Sequence, residues 1–388
     1  MRTAHNESHD VWDSIVIGAG LAGSAAAYHL AQRGRRVLLL EREATIHPKV
    51  CGEVIRAEAL PYLLAMDVDV AALGAQQLTR ARCLAGSART TLLFPTPAYG
   101  LSRVTLDTAC SARAMAVGTT LHLGETVHAI AQTDGAYDIT TSHDTYRGRS
   151  IILATGKHDL RSVQTRATRH SLRGAVGIKW HCQATHAAVA ELGNTVWMLA
   201  FPGGYAGLCR VGATTVNLCG SVTPAWLARH GRQPHQLRAF LHDTFPIARP
   251  LLDGLTSEDT QPLVIAGIPY GFFRPAASLT HDGAYAVGDQ VATMPSVVGI
   301  GMTVALATGT LAAIDLDATL RGQPRRYEDQ LHRLLARARR AALFTHAMMT
   351  SAAAPYGVRL CRWLPPLGHG VLHASRVPSA GVVFARQG

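Results

Sequence analysis

The stretch DSIVIGAGLAGSAAAYHLAQRGRRVLLLERE, residues 13–43, decides the fold. Residues 15–17 are a short apolar run, Gly18-Ala19-Gly20-Leu21-Ala22-Gly23 has the pattern G-x-G-x-x-G, and the alanine-rich run to Arg33 reads as a helix stopped by Gly34. A second apolar run, residues 37–40, ends at Glu41, which completes a βαβ unit. Each glycine has a geometric reason: Gly18 permits the tight turn, Gly20 lets the backbone approach a pyrophosphate on the helix N-terminus, and Gly23 lets helix and strand pack closely. Glu41 stands where a carboxylate accepts hydrogen bonds from an adenosine ribose.

Around this unit lies a chain of 388 residues, 48% hydrophobic and only 16% charged, which predicts two intertwined compact domains and a C-terminal extension. The net charge of +11 comes from arginine, because lysine occurs only at 49, 157 and 179. The arginines are scattered and aromatics make up 6%, so a nucleic-acid stacking surface is not expected. Such charge reads as a solvated basic surface, or else as attraction of anionic ligands, an acidic acyl carrier protein or a membrane face. Seven cysteines, at 51, 83, 110, 182, 209, 219 and 361, form no CxxC pair or zinc spacing, which argues against a disulfide framework and a metal site. His5 and His9 read as part of a polar tail. With no apolar leader or long apolar span, a cytoplasmic location, at most peripheral to a membrane, is expected.

Toward the other end, GAYAVGDQVATMPSVVGIGMTVALATGTLAAI, residues 283–314, places Gly288-Asp289 after an apolar strand, then Pro295, then Gly299 and Gly301 opening a long small-residue helix. The fingerprint with LERE, the LSRVTLD segment at 101–107 and this Gly-Asp segment together resemble the FAD-dependent aromatic-hydroxylase superfamily, which also contains geranylgeranyl reductases and flavin-dependent halogenases. The resemblance covers most of residues 13–318 and implies FAD. Glu41 would hold the adenosine ribose, Arg103 would lie along the cofactor, Asp289 would hold the ribityl chain, and the helix after Gly299 would point its N-terminus at the flavin ring. A helix N-terminus stabilises an anion there by roughly 0.3–2 kcal/mol. The resemblance also assigns Leu21, Ala22, Arg42, Cys51, Gly52, Val127, Thr155, Gly156, Gly288, Pro295, Gly301 and Met302 to the cofactor's surroundings. The middle motif departs from the superfamily: ATGKHDLRS has Thr155 in place of the usual aspartate and Asp159 near the usual serine. With a single G-x-G-x-x-G, NAD(P)H would dock only transiently as electron donor, or else a partner reductase would reduce the flavin.

The implied fold is mixed α/β: a Rossmann-like FAD-binding domain, an inserted antiparallel-sheet substrate domain and a C-terminal helical extension. The expected division gives residues 1–60, 101–165 and 281–320 to the FAD-binding domain. Residues 61–100 and 166–280 go to the substrate domain, and 321–388 to the helical region. AVGIKWHCQA, NTVWMLAFP, GYAGLCRVG and TTVNLCGSV read as an antiparallel meander, with an excursion of helix at 224–250. Alternation sets Lys179 and His181 on one face and Ile178, Trp180 and Cys182 on the other. His181 would be solvated or structural, or else orient a substrate hydroxyl, and Tyr205 can face the cavity. After Gly322 an amphipathic helix has arginines on one side and leucines on the other.

PKVCGE, residues 48–53, is similar to the Lys-x-Cys-Gly motif of geranylgeranyl reductases. Cys51 beside the flavin could protonate a carbanion or tune the ring, with Lys49 raising its thiolate fraction; the plainer reading is a small buried hydrophobe. The candidate catalytic residues are thus Cys51, Lys49 and His181. Halogenases fit less well, since Val54 replaces their serine and VWMLAFP only partly matches their two-tryptophan signature. The leading expectation is a monooxygenase that hydroxylates a small, largely apolar phenolic lipid or polyketide with NAD(P)H and O2 through a flavin C4a-hydroperoxide. The alternatives are alkene reduction with Cys51 near the flavin, a flavin dehydrogenase or oxidase, and a docking module that holds FAD structurally.

Overall fold

In a computed structural model of the chain, which describes residues 11–158, 160, 174–258, 261–274 and 283–378, two large sheets carry the fold. His5, His9 and Asp159 lie outside the described residues. The first sheet is parallel, in the order Ala284–Ala286, Ile151–Leu153, Ser14–Ile17, Val37–Glu41, Thr120–Leu123. Its inner strands are near-continuous apolar runs because both faces are covered, whereas the edge strand Thr120–Leu123 is partly exposed. Val16 and Leu39 face a helical layer, whereas Ile15, Ile17, Leu38 and Leu40 meet Tyr137 and Ile139 of a small antiparallel sheet, Val127–Thr133, Ala136–Thr141 and Thr145–Gly148.

The helical layer centres on Leu21–Ala31 and Gly301–Leu320, which are apolar all round and therefore buried. They approach closely because Gly309 has no side chain: a Cβ there would lie 2.2 Å from the carbonyl oxygen of Ala22. Among the described residues, Gly301–Leu320 is the one helix long and apolar enough to cross a membrane, and it is mostly buried inside the fold.

A titratable polar group is trapped in this layer. His29 is buried, and its Nε2 has no hydrogen-bond partner. Burial, reinforced by the Arg33 charge, lowers its pKa from 6.5 to about 4. Below pH 6.5 the unfolded chain takes up a proton that the folded chain refuses until about pH 4, so stability falls as pH drops through that window. Urea unfolding is expected to show a loss of up to about 2 kcal/mol between pH 7 and 5. His29→Gln should reduce the slope in that range, leaving the part that comes from His346, whose pKa burial also lowers; an unchanged slope would show that the His29 ring does not titrate this way.

The second sheet has nine strands. Its main path runs Leu255–Ser257, Ala175–Ala184, Thr215–Val222, Gly204–Arg210, Thr195–Phe201, Gln76–Ala85, Ala88–Gly100, Val54–Ile55, and Leu263–Ile268 also pairs with Ala175–Ala184. The expected simple meander is thereby corrected. The last three of its four strands form one, but Ala175–Ala184 joins at the far edge, beside Thr215–Val222, while Thr195–Phe201 pairs in parallel with Gln76–Ala85. The helix His186–Leu192, capped by the Thr185 side chain, carries the chain across instead of a tight turn. After Val54–Ile55 the chain leaves this sheet: Tyr62, Leu63, Met66, Val68 and Val70 pack in the core around the fingerprint helix, and the chain returns to the sheet at Gln76.

Ile178, Trp180 and Cys182 pack with Leu237, Leu241 and Leu251 on the helix-covered face of this sheet, as alternation predicts. Three C-terminal helices, Tyr327–Met349, Ala354–Trp363 and Pro365–Ala374, complete the fold. The first buries Leu331, Leu335, Ala338 and Ala342 in the fingerprint core, and the second sets Ala354 and Val358 against Ala85, Ala88 and Ala200.

Candidate active site

A cavity of about 1150 Å³ is lined by residues of both sheets and of the C-terminal helices. That exceeds the roughly 300–1,000 Å³ of an ordinary small-molecule pocket, which leaves room for a dinucleotide and a second ligand. Its walls include Gly18, Gly20, Leu21, Ala22, Glu41, Arg42, Lys49, Cys51, Gly52, Arg103, Val127, Thr155, Gly156, Gly288, Asp289, Gly299, Gly301 and Met302. Three residues singled out in the sequence do not line it. Gly23 lies beneath the fingerprint turn, where a Cβ would fall 1.9 Å from the Gly18 oxygen; Pro295 and His181 are also set back. Another part of the wall is apolar, formed by Leu92, Phe94, Met198, Ile265, Phe344 and Met348.

The residues present fit FAD. The helix Leu21–Ala31 begins at Gly20 with no side-chain cap and no acid in its first turn, so its first N–H groups remain available to a diphosphate. Glu41 is oriented at the wall by accepting hydrogen bonds from Ala19 N–H (2.9 Å) and Glu43 N–H (3.2 Å). Gly301–Leu320 likewise starts uncapped at the cavity, after Gly299 in the left-handed region at φ 67°. Gly20 separates cofactor binding from folding. Its φ of −75° suits any residue, and a Cβ there would meet only the Lys49 Nζ, at 3.8 Å. Gly20→Ala should therefore fold with unchanged thermal stability in the apo form yet bind FAD about tenfold or more weakly, roughly 1.4 kcal/mol, by flavin-fluorescence titration. Equal affinity would mean that the diphosphate does not cross Gly20.

The loop of residues 49–53 sits between the flavin-type fold and the second sheet, and all three lysines of the chain converge on it. Lys49 Nζ donates to Asp107 Oδ2 at 2.8 Å, and Arg103 clamps the same carboxylate through Nε (2.9 Å) and Nη2 (3.0 Å). Burial pushes the Asp107 carboxyl up, but these two cations outweigh it and hold the group below its ordinary range. Lys157 donates to the Val50 carbonyl at 3.5 Å; burial opposes its charge, yet Asp289 keeps its pKa raised. Lys179, 1% exposed, donates to the Lys49 carbonyl at 3.1 Å and to Glu53 Oε1. The Lys49 ammonium is held by Asp107, and the cations that interact with the Cys51 thiol include Arg103 and Lys157.

Glu53 is the hub. Its Oε1 also accepts the Arg103 N–H at 2.8 Å, and its Oε2 is 2.6 Å from His181 Nε2. Burial raises its pKa, but the His181 hydrogen bond and the Lys179 charge prevail and leave it below 4.5. His181 is thus neither solvated nor at the cavity: its partner is Glu53. Around the loop, Asn217 Nδ2 donates to the Cys51 carbonyl at 3.0 Å and Cys209 Sγ to the Gly52 carbonyl at 3.4 Å. The Glu53 N–H reaches back to Cys51 Sγ at 3.4 Å, leaving the thiol on the cavity wall. Tyr205 also lines the cavity, with its hydroxyl 2.6 Å from Ser296 Oγ. Sequence reading placed Lys179 on the right face but did not single out Glu53 or Lys179; the available signal was an acid two residues after the motif cysteine.

The family described as FAD dependent oxidoreductase matches residues 13–49. A digeranylgeranylglycerophospholipid reductase of Methanopyrus kandleri is 28% identical over 342 residues, covering 82% of each chain. Among solved structures, a geranylgeranyl bacteriochlorophyll reductase-like protein of Thermoplasma acidophilum superposes with a TM-score of 0.73 at 17% identity, over 97% of this chain and 95% of that one. A myxobacterial chondrochloren halogenase gives 0.75 at 17%, over 97% and 93%. At such identities the structures speak for the fold alone. Fingerprint, fold and a relative matched along most of its length all fit an FAD-dependent oxidoreductase of the superfamily that includes the geranylgeranyl reductases.

Proposed function

We propose that this oxidoreductase saturates a carbon–carbon double bond in a long apolar substrate, with Cys51 as the proton donor. The observation that carries the reading is the Cys51 thiol on the cavity wall that also includes the apolar side chains, beside a loop held by buried ion pairs. Bound FAD, recharged by NAD(P)H, would supply the hydride to one alkene carbon. Cys51 gives its proton to the other, and Arg103 faces the negative charge left on sulfur until water returns the proton. Leu92, Phe94, Met198 and Ile265 exclude water from the chain being reduced.

Hydroxylation with O2, the leading expectation from the sequence, is the second reading, and the same dry apolar wall favours it. An anaerobic experiment separates the two. The yellow holoprotein is reduced with NADPH and mixed with a polyprenyl alkene in the absence of O2. Return of the oxidised flavin spectrum with a product heavier by two hydrogens supports reduction. A spectrum that returns only on admitting O2, with product heavier by one oxygen, overturns it in favour of hydroxylation.

A further inference from the structure

The cavity opens among apolar side chains that the fold leaves uncovered. Trp363 is 82% exposed, and Leu360, Leu364 and Leu367 beside it are about half exposed, at 51%, 52% and 46%. Leu360 and Leu367 also line the cavity, as does Phe344, itself 63% exposed. A large exposed apolar patch on a globular protein marks an interaction surface. This one lies on the helices Ala354–Trp363 and Pro365–Ala374, packed over the strand Ala88–Gly100, whose Leu92 and Phe94 line the interior.

Charge selects the occupant. After Asp329 the chain has no Asp or Glu, and residues 330–388 carry eight arginines. Arg359 and Arg362 are exposed on the same helix as Trp363. A tryptophan at a solvent-facing helix end, flanked by leucines and arginines, has the chemistry of an interfacial helix on an anionic bilayer. A carrier protein would be met by the same arginines but would not call for an apolar rim running into the cavity.

We propose that this face docks on an anionic membrane surface and that the apolar substrate enters the cavity directly from the bilayer. The second half rests on the reading that the substrate is a long apolar chain; the first does not.

The test is flotation of the FAD-loaded full chain with vesicles of phosphatidylcholine alone and of phosphatidylcholine mixed with phosphatidylglycerol, next to Trp363→Ser/Leu364→Ser. Neither residue lines the cavity. The wild type should float with the anionic vesicles, less so in high salt, and the variant at least about tenfold less. The variant should still reduce a detergent-dispersed alkene at the wild-type rate. Flotation needs no turnover, so failure here and failure of the alkene reading appear separately. A wild type that floats with neither vesicle, or a variant that floats equally well, overturns the proposal. Capture of an acidic acyl carrier protein by the wild type but not the variant, without flotation, overturns it in favour of a protein partner.

Discussion

If the chain reduces alkenes with NADPH as proposed, Cys51→Ala is expected to lower alkene turnover by about 10²–10⁴, the span usual for a lost general acid, while FAD content and bleaching by NADPH stay as in the wild type. The division is expected because the loop is anchored through its backbone. Asn217 and Cys209 donate to the carbonyls of residues 51 and 52, and the lysines hold residues 49, 50 and 53. The sulfur itself meets the Glu53 N–H at 3.4 Å, a weak neutral contact, and Arg103, which is clamped independently by Asp107. Removing the thiol therefore removes chemistry and leaves the loop in place. Rapid mixing resolves the two half-reactions: the step in which NADPH bleaches the holoprotein should be unchanged, and the step in which the alkene restores its colour should be slowed. A fall of less than about threefold in the second step would return Cys51 to the role of a small packing residue.

What the sequence made legible was local. The fingerprint turn, the two apolar strands and Glu41 lie within one short βαβ unit, so spacing alone could place them. The face of Lys179 and His181 followed from a period of two. What escaped were relations over long separations. Gly309 reads as one weak position in a helix, and its reason, the Ala22 oxygen 2.2 Å from where a Cβ would stand, is visible only once two distant helices meet. The Arg103–Asp107 pair is an i,i+4 pattern, but its third member, Lys49, is 58 residues away, and Lys179 and His181 stand 126 and 128 residues from Glu53. Strand order was misread for the same reason: alternation tells which face a residue takes and says nothing of which strand lies beside it.

Glu53→Ala is expected to cost about 3–5 kcal/mol of stability, the range for removing one partner of a buried ion pair. The side chain is 1% exposed, as is its partner Lys179, so alanine leaves an ammonium in the interior with only the Lys49 carbonyl as a polar contact among those seen. It also strips the Arg103 N–H and His181 of their acceptor. If the penalty is the stranded charge, Lys179→Met added to Glu53→Ala should recover a large part of it in urea unfolding. A backbone contribution can be separated too. Glu53 sits at φ 57°, where any side chain is strained by about 1 kcal/mol or more. Glu53→Gly should therefore be more stable than Glu53→Ala by about that amount, and both should remain below the wild type. The pH dependence has a definite sign. Because the folded pKa of Glu53 lies below 4.5, its stabilisation is present above that pH and is lost as pH falls through the folded value. Glu53→Ala should flatten the acid limb there and leave a residual slope from Asp107, also held below its ordinary value. The positive φ turns the chain back so that the Glu53 N–H meets Cys51 Sγ while the carboxylate points the other way into the second sheet. A strained glutamate held by a lysine and a histidine of that sheet is thus what fixes the thiol relative to the cavity. Were Glu53→Ala to cost less than about 1 kcal/mol, that fixing would have to come from the Asp107 pairs and from the hydrogen bonds that Asn217, Cys209 and Lys157 give to the loop carbonyls.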